Sequence, residues 1–131
     1  MLNQQIYNKT IGIRSFYGNN NPGYKTIDSI NLYNVELVKD SGFRYTKCKK
    51  FYCPKLVTSE QYGFGSNTNL NTIIFGPNLR TINNNMLNGC SNTKYIFLQT
   101  TNTDPATIIT GNIAGGLPAA ANIYLLNDVK L

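Results

Sequence analysis

Six carboxylates are the side chains in this sequence that could act as general acids or bases. They are Asp28, Glu36, Asp40, Glu60, Asp104 and Asp128. A glycosidase would need two of them within about 10 Å of each other. When the chain is aligned on the internal repeat described below, no two of the six occupy the same position. The sequence also lacks a nucleophile elbow and a phosphate-binding loop, so we interpret the chain as non-enzymatic and predict no cofactor.

The three cysteines are the other candidates for chemistry. Cys48, Cys53 and Cys90 are an odd number, which argues against a closed disulfide framework. The chain has no histidine, so the common mixed zinc sites and a Cys–His nucleophile are excluded. We therefore predict that the cysteines are buried structural residues and that there is no metal site.

Positive charge is concentrated in one short segment of a chain whose net charge is +6. We call its five residues the basic cluster: Arg44, Lys47, Lys49, Lys50 and Lys55. Such a cluster could bind an anionic surface. The simpler interpretation is a solvated edge, and the absence of a nucleic-acid-binding motif disfavours nucleic acid as a partner.

The elements that would position these side chains are indicated by apolar triplets that recur along the chain. The triplets are Ile30-Asn31-Leu32, Phe51-Tyr52-Cys53, Ile73-Ile74-Phe75, Ile96-Phe97-Leu98 and Ile123-Tyr124-Leu125, at steps of 21, 22, 23 and 27 residues. A weaker triplet, Ile11-Gly12-Ile13, precedes them. A period of 20–50 residues is typical of a solenoid, in which each repeat, here called a rung, packs only on its neighbours.

Further apolar positions keep the same spacing as the triplets. One set, three residues before each triplet, is Ile27, Cys48, Leu70, Thr93 and Ala120; sets after the triplet include Val35, Leu56 and Leu79, then Val38, Ser59, Ile82 and Ile109, then Phe43, Phe64 and Leu87. We predict short parallel strands stacked as a ladder of about five to six rungs, with loop or short helical return segments. Residues 1–23 would form an N-terminal segment with the weak first rung, and residues 24–131 the array.

Residues 77–98 resemble the BspA-like leucine-rich repeat. The likeness is carried by Pro77, Leu79 and Ile82, by Leu87, by the pair Gly89-Cys90 and by the strand Ile96-Phe97-Leu98. It extends over residues 24–125, although Thr93 and Ala120 replace the usual leucine and the Gly-Cys pair occurs once. The resemblance implies a leucine-rich-repeat solenoid that binds protein without catalysis, often on bacterial cell surfaces or in adhesins. Similar repeats also occur in phage structural proteins.

The middle residue of each triplet is predicted to face outward. This set reads Gly12, Asn31, Tyr52, Ile74, Phe97 and Tyr124. Tyr95 should share the same face. We call Tyr52, Ile74, Tyr95, Phe97 and Tyr124 the apolar stripe and predict that it binds a protein or glycan partner, because exposed apolar patches mark interaction sites. The alternative is that residues 1–23 cover this face.

The last triplet ends six residues before the C-terminus, which leaves little chain to cap the final strand. An uncapped strand edge favours pairing with another chain, so we predict contact with a partner through the C-terminal rung.

Three functions remain open: an adhesin-like module at the cell surface, a virion component such as a phage tail or capsid decoration protein, and an anionic-surface binder acting through the basic cluster. The N-terminus lacks a signal peptide and no segment is long enough to span a membrane. The resemblance favours an extracellular or cell-surface location, with the virion as the alternative.

Overall fold

The fold is a ladder of short strands. The computed structural model describes residues 3–5, 8–18, 25–82, 85–99 and 121–125. Over these residues the chain forms ten strands and no helix. The strands are β1 (Asn3–Gln5), β2 (Thr10–Ile11), β3 (Ser29–Asn31), β4 (Leu37–Val38), β5 (Lys50–Cys53), β6 (Thr58–Ser59), β7 (Thr72–Phe75), β8 (Thr81–Ile82), β9 (Tyr95–Leu98) and β10 (Asn122–Leu125).

The first sheet is parallel and contains six strands in the order β1-β3-β5-β7-β9-β10. Its register follows the apolar triplets: Ile30 pairs with Phe51, Phe51 with Ile73, Ile73 with Ile96, and Ile96 with Ile123. Each repeat, whether it is 21, 22, 23 or 27 residues long, therefore places its triplet beside the triplet of the preceding repeat. The predicted solenoid and its parallel ladder are confirmed, with six rungs in this sheet.

A second parallel sheet is formed by the return segments of the first four rungs and contains β2, β4, β6 and β8 in that order. Its strands are two residues long, and Val38 pairs with Ser59, which in turn pairs with Ile82. The sequence predicts this set as an inward-facing position but not as a strand, because two residues are too few to show the alternation of a strand. The described return segments are turns, so the loop form of the prediction is the correct one.

The predicted position of the weak first rung is wrong. Ile11-Gly12-Ile13 does not continue the series of triplets, because Ile11 pairs with Val38 in the second sheet. The first sheet instead receives β1, in which Gln4 pairs with Ile30. Gly12 is therefore removed from the outward set. The polar sequence of β1 gives no apolar signal, whereas the apolar residues around β2 resemble a triplet.

The return segments turn through left-handed backbone at two recurring positions. The first position is occupied by Arg14, Ser41, Tyr62 and Asn85, and the second by Tyr45, Ser66 and Gly89, all with φ between 52° and 79°. This conformation costs a non-glycine residue roughly 1–2 kcal/mol. Hydrogen bonds between stacked segments offset the cost: the amides of Ser41, Phe43 and Tyr45 donate to the carbonyls of Gln61, Gly63 and Gly65.

Aromatic rings form the centre of the core. Phe43 stacks on Phe16 at 5.2 Å and on Phe64 at 5.8 Å between ring centroids. Phe51 and Phe75 from the first sheet meet Phe64 edge-on, at 4.9 and 6.3 Å. All but Phe16 are fully buried. Such ring pairs stabilise a core by about 0.5–1.5 kcal/mol each beyond the burial of their surface.

A buried polar residue, Asn67, joins adjacent rungs. Its amide nitrogen donates to the carbonyl oxygens of Phe43 at 2.8 Å and Phe64 at 2.7 Å, and its Oδ1 accepts from the Thr46 hydroxyl at 2.7 Å. One rung later Cys90 occupies the equivalent place, where its thiol donates to the Phe64 carbonyl at 3.2 Å. These side chains therefore satisfy carbonyl groups that the turns leave without a backbone partner.

Replacing Asn67 with alanine is expected to lower the free energy of unfolding by about 2 kcal/mol, because it removes two hydrogen bonds to buried carbonyls. Only the weaker Thr46 hydroxyl and Cys90 thiol donors then remain for the carbonyls of Phe43 and Phe64. Urea unfolding monitored by circular dichroism measures the change. The matched control is Asn92→Ala, whose amide donates to the Thr68 carbonyl at an exposed site and should cost under about 0.5 kcal/mol. Equal losses in the two variants would contradict the proposed role of Asn67.

Candidate partner-binding face

The outward face of the first sheet carries the middle residue of each triplet in one continuous row. Asn31 pairs with Tyr52, Tyr52 with Ile74, Ile74 with Phe97, and Phe97 with Tyr124. Adjacent strands lie about 4.8 Å apart, so the four apolar members span roughly 14 Å. The structure thus places four residues of the apolar stripe in one row.

Tyr95 is the fifth member of the stripe and lies on the same face. Its ring is 6.3 Å from the ring of Phe97 and 6.3 Å from that of Tyr124. Phe97 and Tyr124 are 5.3 Å apart, and the three ring planes lie within 28° of one another. Three near-parallel rings therefore form a compact aromatic group on β9 and β10.

The stripe is only partly covered. Tyr95 is 40% exposed and Tyr124 is 42% exposed, while Tyr52, Ile74 and Phe97 are half-buried. The described part of residues 1–23 forms the edge strands β1 and β2 and a return segment, and does not lie across the stripe. The role of the stripe in partner binding stays a prediction.

Tyr33 extends the aromatic surface and was missed by the sequence analysis. Its ring meets the ring of Tyr52 edge-on at 5.9 Å, and its side chain is 39% exposed. The signal was present in the sequence, because Tyr33 lies two residues after the outward residue Asn31. Tyr33 lies outside the repeated pattern, because the triplet ends at Leu32.

The basic cluster is divided by the fold. Lys49 and Lys50 lie at the start of β5, with Lys47 just before them, whereas Lys55 follows the other end of that strand. The strand separates Lys50 from Lys55 by about 10 Å or more. Lys49 also forms an ion pair with Asp28 at 3.3 Å. Within the basic cluster, only Lys47, Lys49 and Lys50 lie together, at the amino-terminal end of β5.

Arg44, the remaining member of the basic cluster, lies on a return segment. Its guanidinium group stacks on the rings of Tyr62 at 4.4 Å and Tyr45 at 5.0 Å, and its Nε donates to the Ser66 hydroxyl at 3.4 Å. Cation–π contacts of this kind contribute about 0.5–1 kcal/mol at exposed sites. Arg44 therefore has structural contacts of its own on the return segment.

The cysteines are buried as predicted. Burial raises the pKa of Cys48 to about 12 and the pKa of Cys90 to about 12. Burial also raises the pKa of Cys53 well above its usual value. All three are therefore protonated thiols at neutral pH, whereas a nucleophile or metal ligand needs the thiolate.

The carboxylates near the second sheet have structural partners. The backbone amide of Asp40 donates to Glu60 Oε2 at 3.0 Å, and Asp40 Oδ1 accepts from the Ser41 hydroxyl at 2.7 Å. Asp104 and Asp128 lie outside the described residues. Across the part of the chain that is described, no group of three or more metal-ligating side chains is present.

The last strand of the first sheet, β10, has a described partner on one side only. β10 pairs with β9 on one side, and no strand of the described ranges pairs with its other side; residues 126–131, which would follow it, lie outside these ranges. The described residues also include no helix long and apolar enough to cross a membrane.

The architecture places the chain among the leucine-rich-repeat solenoids, because each rung adds one strand to a continuous parallel sheet and shares a core with its neighbours. The profile of the BspA type leucine rich repeat region matches residues 2–107 in six copies. The chain belongs to this family. No curated protein and no solved structure gives a significant match.

The family match agrees with the structure on where the repeats begin. It starts at residue 2 and so includes β1, which the sequence likeness over residues 24–125 left out. The division of the chain at residue 23 stays a prediction. Members of the family are generally non-enzymatic and often belong to surface-exposed proteins. For this chain, family membership indicates a protein-interaction or structural module.

Proposed function

We propose that this chain recognises a partner protein through the apolar stripe, extended by Tyr33. The observation that supports this most directly is the group of near-parallel rings formed by Tyr95, Phe97 and Tyr124 on a partly exposed sheet face. Rigid aromatic side chains provide large contact areas at low entropic cost and dominate the binding energy of many interfaces. A glycan stacking on the same rings is the alternative ligand.

We place this module in an adhesin-like protein at the cell surface, because BspA-type repeats are frequent in surface-exposed proteins. A phage tail or capsid decoration protein is the alternative setting. Both settings use the solenoid in the same way, as a rigid scaffold that presents one face. In either of them the outer edge of β10 offers a second contact, since an open parallel strand can pair with another chain.

A second candidate function is anionic-surface binding by the basic cluster. It is favoured by Lys47, Lys49 and Lys50, which lie at the same edge of the first sheet, and it is weakened by the positions of Arg44 and Lys55. The two functions differ in their response to salt. Binding through several lysines falls steeply as ionic strength rises, whereas binding through the apolar stripe changes little.

The test is a selection of peptides from a displayed library on the immobilised chain, followed by affinity measurements on the enriched peptides. Tyr95→Ser combined with Tyr124→Ser should weaken binding by about 30-fold or more, because interface anchors contribute about 2 kcal/mol or more. Tyr17→Ser is the matched control: it is 44% exposed but lies on a return segment, and should leave the affinity unchanged.

Two measurements make this test decisive. Urea unfolding shows that both variants remain folded, and a salt series shows whether binding is apolar. Peptides that bind the Tyr95/Tyr124 double variant as tightly as the unmodified chain would overturn the proposal. Peptides whose affinity drops steeply between 50 and 200 mM salt would instead support the basic cluster.

A further inference from the structure

We propose that a groove beside the apolar stripe binds an acidic oligosaccharide. The groove lies at the amino-terminal ends of the first-sheet strands and encloses about 660 Å³. It is lined by lysine, asparagine and threonine: Thr26, Lys49, Lys50, Asn69, Asn71, Thr72, Asn92 and Lys94. We call these residues the lysine–asparagine groove. It shares only Lys49 and Lys50 with the basic cluster and none of its residues with the apolar stripe.

The repeat itself sets the spacing of the lining residues. The amide of Asn71 donates to the Lys49 carbonyl at 2.8 Å, and the amide of Lys94 donates to the Asn71 carbonyl at 2.9 Å. On the same edge, Lys50 pairs in register with Thr72. Polar side chains on successive rungs are therefore held about 4.8 Å apart in a fixed order, which gives a linear polymer repeated points of attachment.

Hydrogen bonds hold the asparagine side chains of the groove in place. The amide nitrogen of Asn69 donates to the Thr26 hydroxyl at 3.2 Å, two rungs away. The amide nitrogen of Asn92 donates to the Thr68 carbonyl at 2.7 Å. These bonds use the nitrogen atoms of Asn69 and Asn92 and direct their amide oxygens, so ligand hydroxyl groups would meet acceptors that are already oriented. The amide oxygen of Asn71 instead accepts from the Thr72 hydroxyl at 2.8 Å. Such preorganisation lowers the entropic cost of binding.

The groove carries uncompensated positive charge. Of its three lysines, Lys49 pairs with Asp28, and none of the described residues that line the groove is a carboxylate. Within the described ranges, no carboxylate forms an ion pair with Lys50 or Lys94. Their ammonium groups are therefore available to the carboxylate or sulfate groups of a ligand, with the groove concentrating the field.

The mixture of lining groups favours an acidic sugar over other polyanions. Five of the eight residues are neutral amides or hydroxyls, which suit a ligand that has many hydroxyl groups for each charge. No arginine lines the groove, although arginine dominates bidentate phosphate recognition. Tyr95, whose strand position pairs with Thr72, adds an exposed aromatic ring near this edge.

The test uses hexagalacturonate as the probe and titration calorimetry at 50 mM salt. Lys50→Gln combined with Lys94→Gln should weaken binding by about tenfold, or about 1.4 kcal/mol, because the double variant removes two exposed charge pairs, each of which contributes modestly. Lys39→Gln combined with Lys55→Gln is the matched control: it removes the same charge outside the groove and should change the affinity by less than about twofold. Tyr124→Ser should not change the affinity for hexagalacturonate, because Tyr124 does not line the groove. The groove proposal is therefore tested separately from the stripe proposal.

Three outcomes would overturn the proposal. The first is the absence of hexagalacturonate binding to the unmodified chain. The second is equal binding of hexaglutamate, which carries the same charge without hydroxyl groups and would indicate a surface selective for charge alone. The third is equal weakening by the two pairs of lysine substitutions.

Discussion

Phe43→Ala is expected to lower the free energy of unfolding by about 3–5 kcal/mol, the usual cost of removing a buried phenylalanine. The Phe43 side chain is fully buried. It stacks between Phe16 and Phe64 and meets Phe51 edge-on at 5.3 Å. The substitution therefore leaves a cavity among three rings from the two neighbouring rungs, and the stacked backbone prevents the rungs from closing it.

The matched control for this prediction is Phe16→Ala, which removes the same side chain from the same position one rung earlier. Phe16 is 45% exposed, so its truncation should cost less than about 1.5 kcal/mol, since less apolar surface is returned to water. Urea unfolding curves of the two variants and the unmodified chain give both values. Similar losses for Phe16 and Phe43 would show that the phenylalanine stack is not the centre of the core.

The size of the Phe43 effect reflects how a solenoid is held together. Each rung contacts only its neighbours, so overall stability depends on the interfaces between adjacent rungs. Phe43 belongs to two of these interfaces at once, through Phe16 and Phe64. Weakening both interfaces of the second rung should reduce the stability of the whole array.

The first sheet could be predicted because its residues repeat an apolar triplet. Ile30, Phe51, Ile73 and Ile96 all pair in the register that the spacing indicates. The first rung could not be predicted in this way, because β1 is the polar sequence Asn3–Gln5, which lacks an apolar triplet although its backbone pairs with β3. Backbone pairing leaves no pattern in the side-chain sequence.

The left-handed backbone positions of the return segments could not be predicted from the sequence either. Their left-handed positions are occupied by residues as different as Arg14, Tyr45 and Tyr62, where glycine or asparagine is the usual signal. Stacking between segments, and not local preference, holds them there. Asn67 is a similar case: in sequence it is a departure from the Gly-Cys pair, yet its hydrogen bonds replace and exceed those of Cys90.

The candidate site was predictable in its position and less so in its extent. Strand alternation placed Tyr52, Phe97 and Tyr124 on one face, and the structure brings them into one row. Neither Tyr33 nor the lysine–asparagine groove followed from the triplets, because both lie outside the triplet positions. The charge of the segment around Lys50 was visible, but its grouping with Lys94, 44 residues away in sequence, depends on the stacking of rungs.

Gly76→Ala is the second substitution with a large expected effect, about 3 kcal/mol or more of lost stability, at the upper end for overpacking. Gly76 follows β7 and is packed against the turn after β5. A Cβ atom there would collide with the backbone of Pro54: it would lie far inside contact distance of the carbonyl oxygen, 2.6 Å from the carbonyl carbon and 2.9 Å from Cα. Backbone atoms cannot rotate away, so two rungs would have to separate.

The control is Gly65→Ala, since the nearest atoms to a Cβ at that buried position are 3.3 Å away and a shift of a few tenths of an ångström would accommodate it. We expect it to change the stability by less than about 1 kcal/mol. If Gly76→Ala unfolds at the same urea concentration as Gly65→Ala, close packing at this turn does not limit the stability of the stacked rungs.

Gly76→Ala should also disturb the apolar stripe. Because Tyr52 and Ile74 lie two residues before Pro54 and Gly76, the same displacement should move these two side chains apart at the centre of the stripe. Folded Gly76→Ala protein is therefore also expected to bind the selected peptides more weakly than Gly65→Ala protein.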